Sequence, residues 1–94
     1  MPRKSDDWME QLDERVLEHL ADEGVSTPRV MASRRGFGAS EPRVAERCRM
    51  LADAGFVAPV SDRTYEITTW GLRYLSGQVD ARHQPTPRPD REGG

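Results

Sequence analysis

The stretch SEPRVAERCRMLADAGFV, Ser40 to Val57, decides how the chain reads. It opens with a hydroxyl residue followed by acid and proline, the pattern of a capped helix start. Ser40 offers the cap, Glu41 suits the positive end of the helix dipole, and Pro42 is tolerated in the first turn. It closes on Gly55, a helix terminator. At 100° per residue, Val44, Cys48, Leu51 and Ala52 point one way. Pro42, Arg43, Glu46, Arg49, Met50 and Asp53 point the other, with Arg47 at the boundary. The result is a short helix with an apolar inner stripe and an arginine-bearing outer face.

Working outward, Phe56 to Val60 reads as a short strand and Ser61-Asp62-Arg63 as a turn. Thr64 to Thr68 reads as a second strand, with Tyr65 and Ile67 on one face by period two. Thr68 or Thr69 then caps a last helix whose apolar residues are Trp70, Leu72, Tyr74 and Leu75. Upstream, Asp6 or Asp7 is the expected cap of a helix running to about Asp22. Its stripe is Trp8, Met9, Leu12, Val16, Leu17 and Leu20, and Gly24 stops it. Ser26-Thr27-Pro28 starts a second, short helix to about Ser33, and Arg34-Arg35-Gly36-Phe37-Gly38 breaks it with an apolar anchor between two glycines.

Charge is unevenly placed. The 94 residues carry 14 basic and 16 acidic side chains, net -2. Val25 to Arg49 nevertheless holds six arginines (Arg29, Arg34, Arg35, Arg43, Arg47 and Arg49) against Glu41 and Glu46, a local +4. Met1 to Gly24 has three basic and eight acidic residues, a local -5. Lys4 is the only lysine among the 14 basic residues. A GC-rich genome explains that usage, and a salt-adapted cytoplasm explains both it and the abundance of acids.

The same counts exclude several classes. No run of about 18 apolar residues is present to span a membrane, and the N-terminus lacks the apolar region of a secretory signal. Cys48 has no cysteine partner, which fits a reduced, cytoplasmic protein. Pointing with Val44 and Leu51, it reads as an inert core thiol. His19 and His83 are isolated, so no metal or cofactor is expected. No nucleophile–base pair or phosphate-binding glycine loop appears, so no enzyme is expected. Residues 1–5 read as a flexible start, residues 6–79 as one small domain, and the proline-rich residues 80–94 as a disordered tail.

The order is helix, helix, turn, helix, hairpin, helix. This is a mainly α fold with one small antiparallel β-hairpin, a helix-turn-helix followed by a two-stranded wing. The expected partner is double-stranded DNA. The third helix, about residues 40–54, would enter the major groove, and the wing, about 56–68, would meet backbone or minor groove. Arg43 and Arg47 are the expected base readers, because an arginine fork matches the O6 and N7 acceptors of guanine. Arg49 lies further along and suits phosphate. Ser40 faces the groove but reads first as a cap, and Glu46 either accepts from a cytosine amino group or spaces the arginines as an ion-pair partner. Arg34 and Arg35 in the turn, and Thr27 and Arg29 at the second helix start, are candidate phosphate contacts. Arg63 stands at the wing tip, where negative groove potential favours arginine.

The segments DDWMEQLDERVLEHLADEG (Asp6–Gly24), STPRVMAS (Ser26–Ser33), RVAERCRMLADAGFVAPV (Arg43–Val60) and YEITTWGLRYLSGQVDA (Tyr65–Ala81) resemble the archaeal winged-helix regulators. They are most similar to the halophage phi-H repressor-like proteins of haloarchaea. The resemblance implies a winged helix that binds DNA, as a homodimer, in a repressing or other regulatory role, with no catalytic residue and no cofactor. Trp8, Leu12, Trp70 and Tyr74 on the first and last helices are the candidate dimer surface. The alternative is a winged helix used as a protein–protein module. The net acidity favours it, and the +4 segment around the third helix opposes it.

Overall fold

A computed structural model describes residues 9–78. The elements run α1 (Gln11–Glu23), β1 (Val25–Ser26), α2 (Pro28–Ser33), α3 (Glu41–Asp53), β2 (Val57–Ser61), β3 (Thr64–Ile67) and α4 (Thr69–Leu75). The strands form one antiparallel sheet in the order β1-β3-β2. The arrangement is the winged helix read from the sequence, with one strand added. β1 is only two residues long and pairs Val25 with Glu66 and Ser26 with Tyr65. A two-residue strand has no period to detect, so it reads as part of the approach to α2.

Several boundaries differ from expectation: β2 takes in Ser61 from the expected turn, β3 stops at Ile67, and two further differences have a clear cause. α1 starts at Gln11 with Glu10 as its N-cap, rather than at Asp6 or Asp7. The Glu10 N–H donates to Asp13 Oδ2 at 2.8 Å, so Asp13 supplies the capping carboxylate from inside the first turn. The hairpin also begins one residue later than expected, because Phe56 belongs to the end of α3. There the Gly55 N–H donates to the Ala52 carbonyl at 3.0 Å and the Phe56 N–H to the Leu51 carbonyl at 2.9 Å. With Gly55 at φ 88°, these are the paired bonds of a Schellman termination. The turn drops Phe56, fully buried, into the core and sends Val57 off as the wing.

The core gathers Val16, Leu17 and Leu20 of α1 with Met31, Val44, Cys48, Leu51, Phe56 and Tyr74. Tyr74, expected on a dimer surface, is instead fully buried. Its ring lies 5.3 Å from that of Phe56, and its hydroxyl donates to Glu14 Oε2 at 2.5 Å. The correction has a plain cause: Tyr74 sits on the α4 face that closes over α1, while Trp70 and Leu72 stay outside at 44% and 47% exposure. α4 is fastened to the end of α3. The Thr68 hydroxyl donates to the Gly55 carbonyl at 2.7 Å and accepts from the Gly71 N–H at 3.1 Å. A Cβ at Gly71 would stand 2.4 Å from the Phe56 carbonyl oxygen, so this approach admits only glycine.

Candidate nucleic-acid interface

α3 presents two flanks of opposite character. Its inner flank faces α1. Arg47 is 4% exposed and lies beside Asp13, which has no exposure at all. The pairing is a fork: Nε donates to Asp13 Oδ1 and Nη2 to Asp13 Oδ2, each at 2.7 Å. Nη1 lies 3.3 Å from Glu10 Oε2. The bond to Asp13 raises the pKa of the guanidinium further, against the opposing effect of burial. Arg47, expected at a base edge, is therefore a buried tie between α3 and α1. Its helical angle placed it at the boundary, and a buried carboxylate on α1 drew it inward.

Arg43 is half exposed and also turned toward α1. Nη1 donates to Glu46 Oε1 at 2.9 Å, and Nη2 donates to Glu10. Both partners raise its pKa, Glu10 more than Glu46. Glu46 thus acts as the ion-pair partner that its i, i+3 spacing allowed. Beyond these, α1 has an acidic depression of about 480 Å³ lined by Glu10, Glu14 and Glu18 with Met9, Gln11 and Arg15. Its carboxylates give it the wrong sign for a phosphate chain.

The outer flank faces a groove of about 330 Å³ between α3, the start of α2 and the wing. Pro28, Glu41, Pro42, Ala45, Arg49, Arg63 and Tyr65 line it. A second, smaller depression continues it past Thr27, Pro28, Arg29, Glu41 and Arg63. Arg29, Arg49 and Arg63 are exposed, and none forms an ion pair among the described residues. Arg49 and Arg63 thus line the groove and Arg29 and Arg63 the smaller depression beside it, with Glu41 as the acid common to both.

Local structure explains this convergence. Thr27 Oγ1 accepts from the Val30 N–H at 3.1 Å and so caps α2 beside Pro28, which holds Arg29 at the groove margin. Ser40 Oγ accepts from the Arg43 N–H at 3.4 Å, capping α3 at the groove mouth while remaining exposed. Arg63 occupies the β2–β3 turn at φ 58°, a left-handed position where arginine is uncommon. Tyr65 stands on the central strand, and burial pushes its hydroxyl pKa up.

Arg34 and Arg35 are exposed at the far end of α2 and line neither depression. Arg34 lies near His19, whose pKa it helps to lower. Cys48 is buried, and desolvation pushes its thiol up to about 12, so it is not a nucleophile at neutral pH. Leu12 is partly buried against the core, and Trp8 lies outside the described residues. Among the described residues no group of three or more His, Cys, Asp or Glu is placed to hold a metal ion, and no helix is long and apolar enough to cross a membrane. The reading from residue types missed Pro28, Ala45 and Tyr65. The signal for Ala45 was present, since Pro42, Ala45 and Arg49 fall on one stripe at three- and four-residue spacing.

A comparison with curated proteins found no match. The structure of the PhiH1 repressor-like protein from Haloarcula marismortui is similar, with a TM-score of 0.87 at 32% sequence identity, covering 92% of this chain and 98% of that one. Residues 1–84 match the family model described as a winged helix-turn-helix phage repressor. The chain belongs to the winged helix-turn-helix phage repressor family.

Proposed function

We propose that the protein is a cytoplasmic, sequence-specific, double-stranded DNA-binding transcriptional regulator, a repressor that acts as a homodimer. The observation that carries this reading is the pair of adjoining depressions between α2, α3 and the wing, lined by Arg49 and Arg63 and by Arg29 and Arg63, arginines with no ion pair among the described residues. An ion pair already formed must be broken before its arginine can serve DNA, and among the described residues these three have none to break. α3 lies along the major groove, with Arg49 at base edges. Arg29, at the N-terminal end of α2, and Arg63, at the wing tip, hold the backbone on either side. Family membership and the likeness to a repressor-like protein support the regulatory role. Trp70 and Leu72, exposed on α4, support an apolar contact between two copies.

The test is selection from random duplexes in molar KCl, followed by fluorescence anisotropy on the winners. The expected result is a two-fold symmetric motif whose half-sites are one helical turn apart, about 34–36 Å. Its salt slope is expected to be shallow, because in a concentrated-salt cytoplasm counterion release contributes little. Binding lost by about 0.5 M salt would contradict that mechanism. If no duplex is enriched, the chain is a protein–protein module.

A further inference from the structure

The outer face of α3 carries very little hydrogen-bonding capacity for a surface that reads DNA. At its first turns it presents Pro42 and Ala45, which have no polar side-chain atom. Glu46 follows, with one carboxylate oxygen already accepting from Arg43. Arg49 is the single free donor on the stripe. Pro28 and Tyr65 line the same groove, and Glu41 is its one acid. Where Pro42 and Ala45 themselves meet a base edge, discrimination is by apolar contact.

The major groove offers one apolar feature, the 5-methyl group of thymine; every other base-edge group is a hydrogen-bond donor or acceptor. A methyl group seated against Pro42 and Ala45 would leave no donor or acceptor of the protein unsatisfied. A cytosine amino group or a guanine oxygen at the same place would lose its water and gain no partner. One turn further along, the Arg49 fork meets two acceptors at once only on guanine. Residues four apart on a helix are about 6 Å apart along its axis, and stacked bases are about 3.4 Å apart. Pro42 is one turn further back, about 10 Å from Arg49 along the axis, so the two seats fall about two to three base pairs apart.

We propose that α3 reads a thymine methyl on Pro42 and Ala45 and a guanine on Arg49, so that each half-site holds a T·A and a G·C pair about two to three base pairs apart. This rests on the DNA-binding reading above and specifies what that groove recognises. It also reassigns base readout from Arg43 and Arg47, which acids of α1 occupy, to a face that sequence reading gave to phosphate.

The experiment uses the full chain and the duplexes enriched from the random pool. Each thymine of the half-site is replaced singly by deoxyuridine, which removes only the methyl. Each guanine is replaced singly by 7-deazaguanine, which removes only the N7 acceptor. One thymine is expected to lose about three- to fourfold in affinity without its methyl. A guanine within about three base pairs is expected to lose about tenfold on the deaza change. Arg49→Ala should abolish the guanine effect and leave the thymine effect in place; Ala45→Ser should do the reverse. The wild-type measurements need no variant to fold. Uniform tolerance of deoxyuridine, or a guanine effect that survives Arg49→Ala, overturns this inference while DNA binding stands. Enrichment of no duplex at all removes the DNA-binding reading and this inference with it.

Discussion

On the flank of α3 that faces α1, arginines meet carboxylates; on the flank that faces the wing, they meet solvent. Arg47 and Arg49 stand two residues apart and differ in almost every physical respect. Arg47 is buried and held by a two-bond fork to Asp13. Arg49 is exposed beside Pro42, Ala45 and Tyr65 and has no ion-pair partner among the described residues. One residue type thus serves two purposes, and the facing element decides which. The acidic α1 neutralises the inner arginines and orients α3 by them, leaving the outer ones to act as a positive surface. The net charge of the chain conceals this division.

The largest effect should come from breaking the inner tie. Arg47→Ala leaves Asp13 buried without its partner, at an expected cost of about 3–5 kcal/mol. That is a large share of the roughly 5–15 kcal/mol available to a domain, so urea unfolding should shift to far lower denaturant. Arg49→Ala should stay within about 0.5 kcal/mol of wild type. Replacing both members, Asp13→Leu with Arg47→Met, should recover most of the loss, because a buried pair is worth little against well-packed apolar groups. Equal stability for Arg47→Ala and Arg49→Ala would erase the distinction between the flanks.

DNA affinity should show the opposite ranking. Arg49→Ala is expected to weaken a selected duplex about tenfold or more, the scale of one bidentate base contact. Arg43→Ala should cost less than about threefold, because Glu10 and Glu46 already neutralise it. Anisotropy titrations of the two variants decide this, and a larger loss for Arg43 would move the reading face toward α1. Arg63→Gly sharpens the point. Its left-handed backbone suits glycine, so the variant should gain up to about 1 kcal/mol of stability. It should nevertheless bind DNA more weakly and with a salt slope reduced by about 0.9 for each protomer of the dimer.

The element order was legible because each helix carries its own start and stop signals. Thr27-Pro28, Ser40-Glu41-Pro42 and Gly55 mark ends by local chemistry alone. Two features were hidden for one reason: each depends on a partner distant in sequence. β1 exists only because β3 pairs with it, and the role of Arg47 is set by Asp13, 34 residues earlier. Helical angle ranks Arg43 and Arg49 together as outward, yet Glu10 takes only the first. Tyr74 illustrates the same limit, since its stripe on α4 predicts burial without saying whether α1 or a second copy provides it. The groove itself joins Pro28, Ala45 and Tyr65 from three elements, which no single periodicity connects.

The smallest effect concerns the junction between the two flanks, where His19 of α1 meets β1 and the turn after α2. Its Nε2 lies 2.9 Å from Ser26 Oγ, and its ring stands edge-on to Phe37 at 5.7 Å. Burial lowers its pKa first and the Arg34 charge second; Glu23 and Asp22 oppose them. The fold therefore favours the neutral ring, while the unfolded chain takes up a proton near pH 6.5. Stability from this site is present above about pH 6.5 and is lost as pH falls toward the lower folded value. His19→Gln keeps a polar partner for Ser26 and removes the titration. Urea midpoints of wild type and variant should run parallel above pH 7 and converge or cross as pH falls below about 6.5. The carboxylates common to both proteins cancel in that difference. Parallel curves throughout would mean that protonated His19 is as well accommodated as neutral His19. The Ser26–His19–Phe37 contact would then hold the start of α2 by shape alone, leaving the placement of Thr27 and Arg29 at the groove independent of pH.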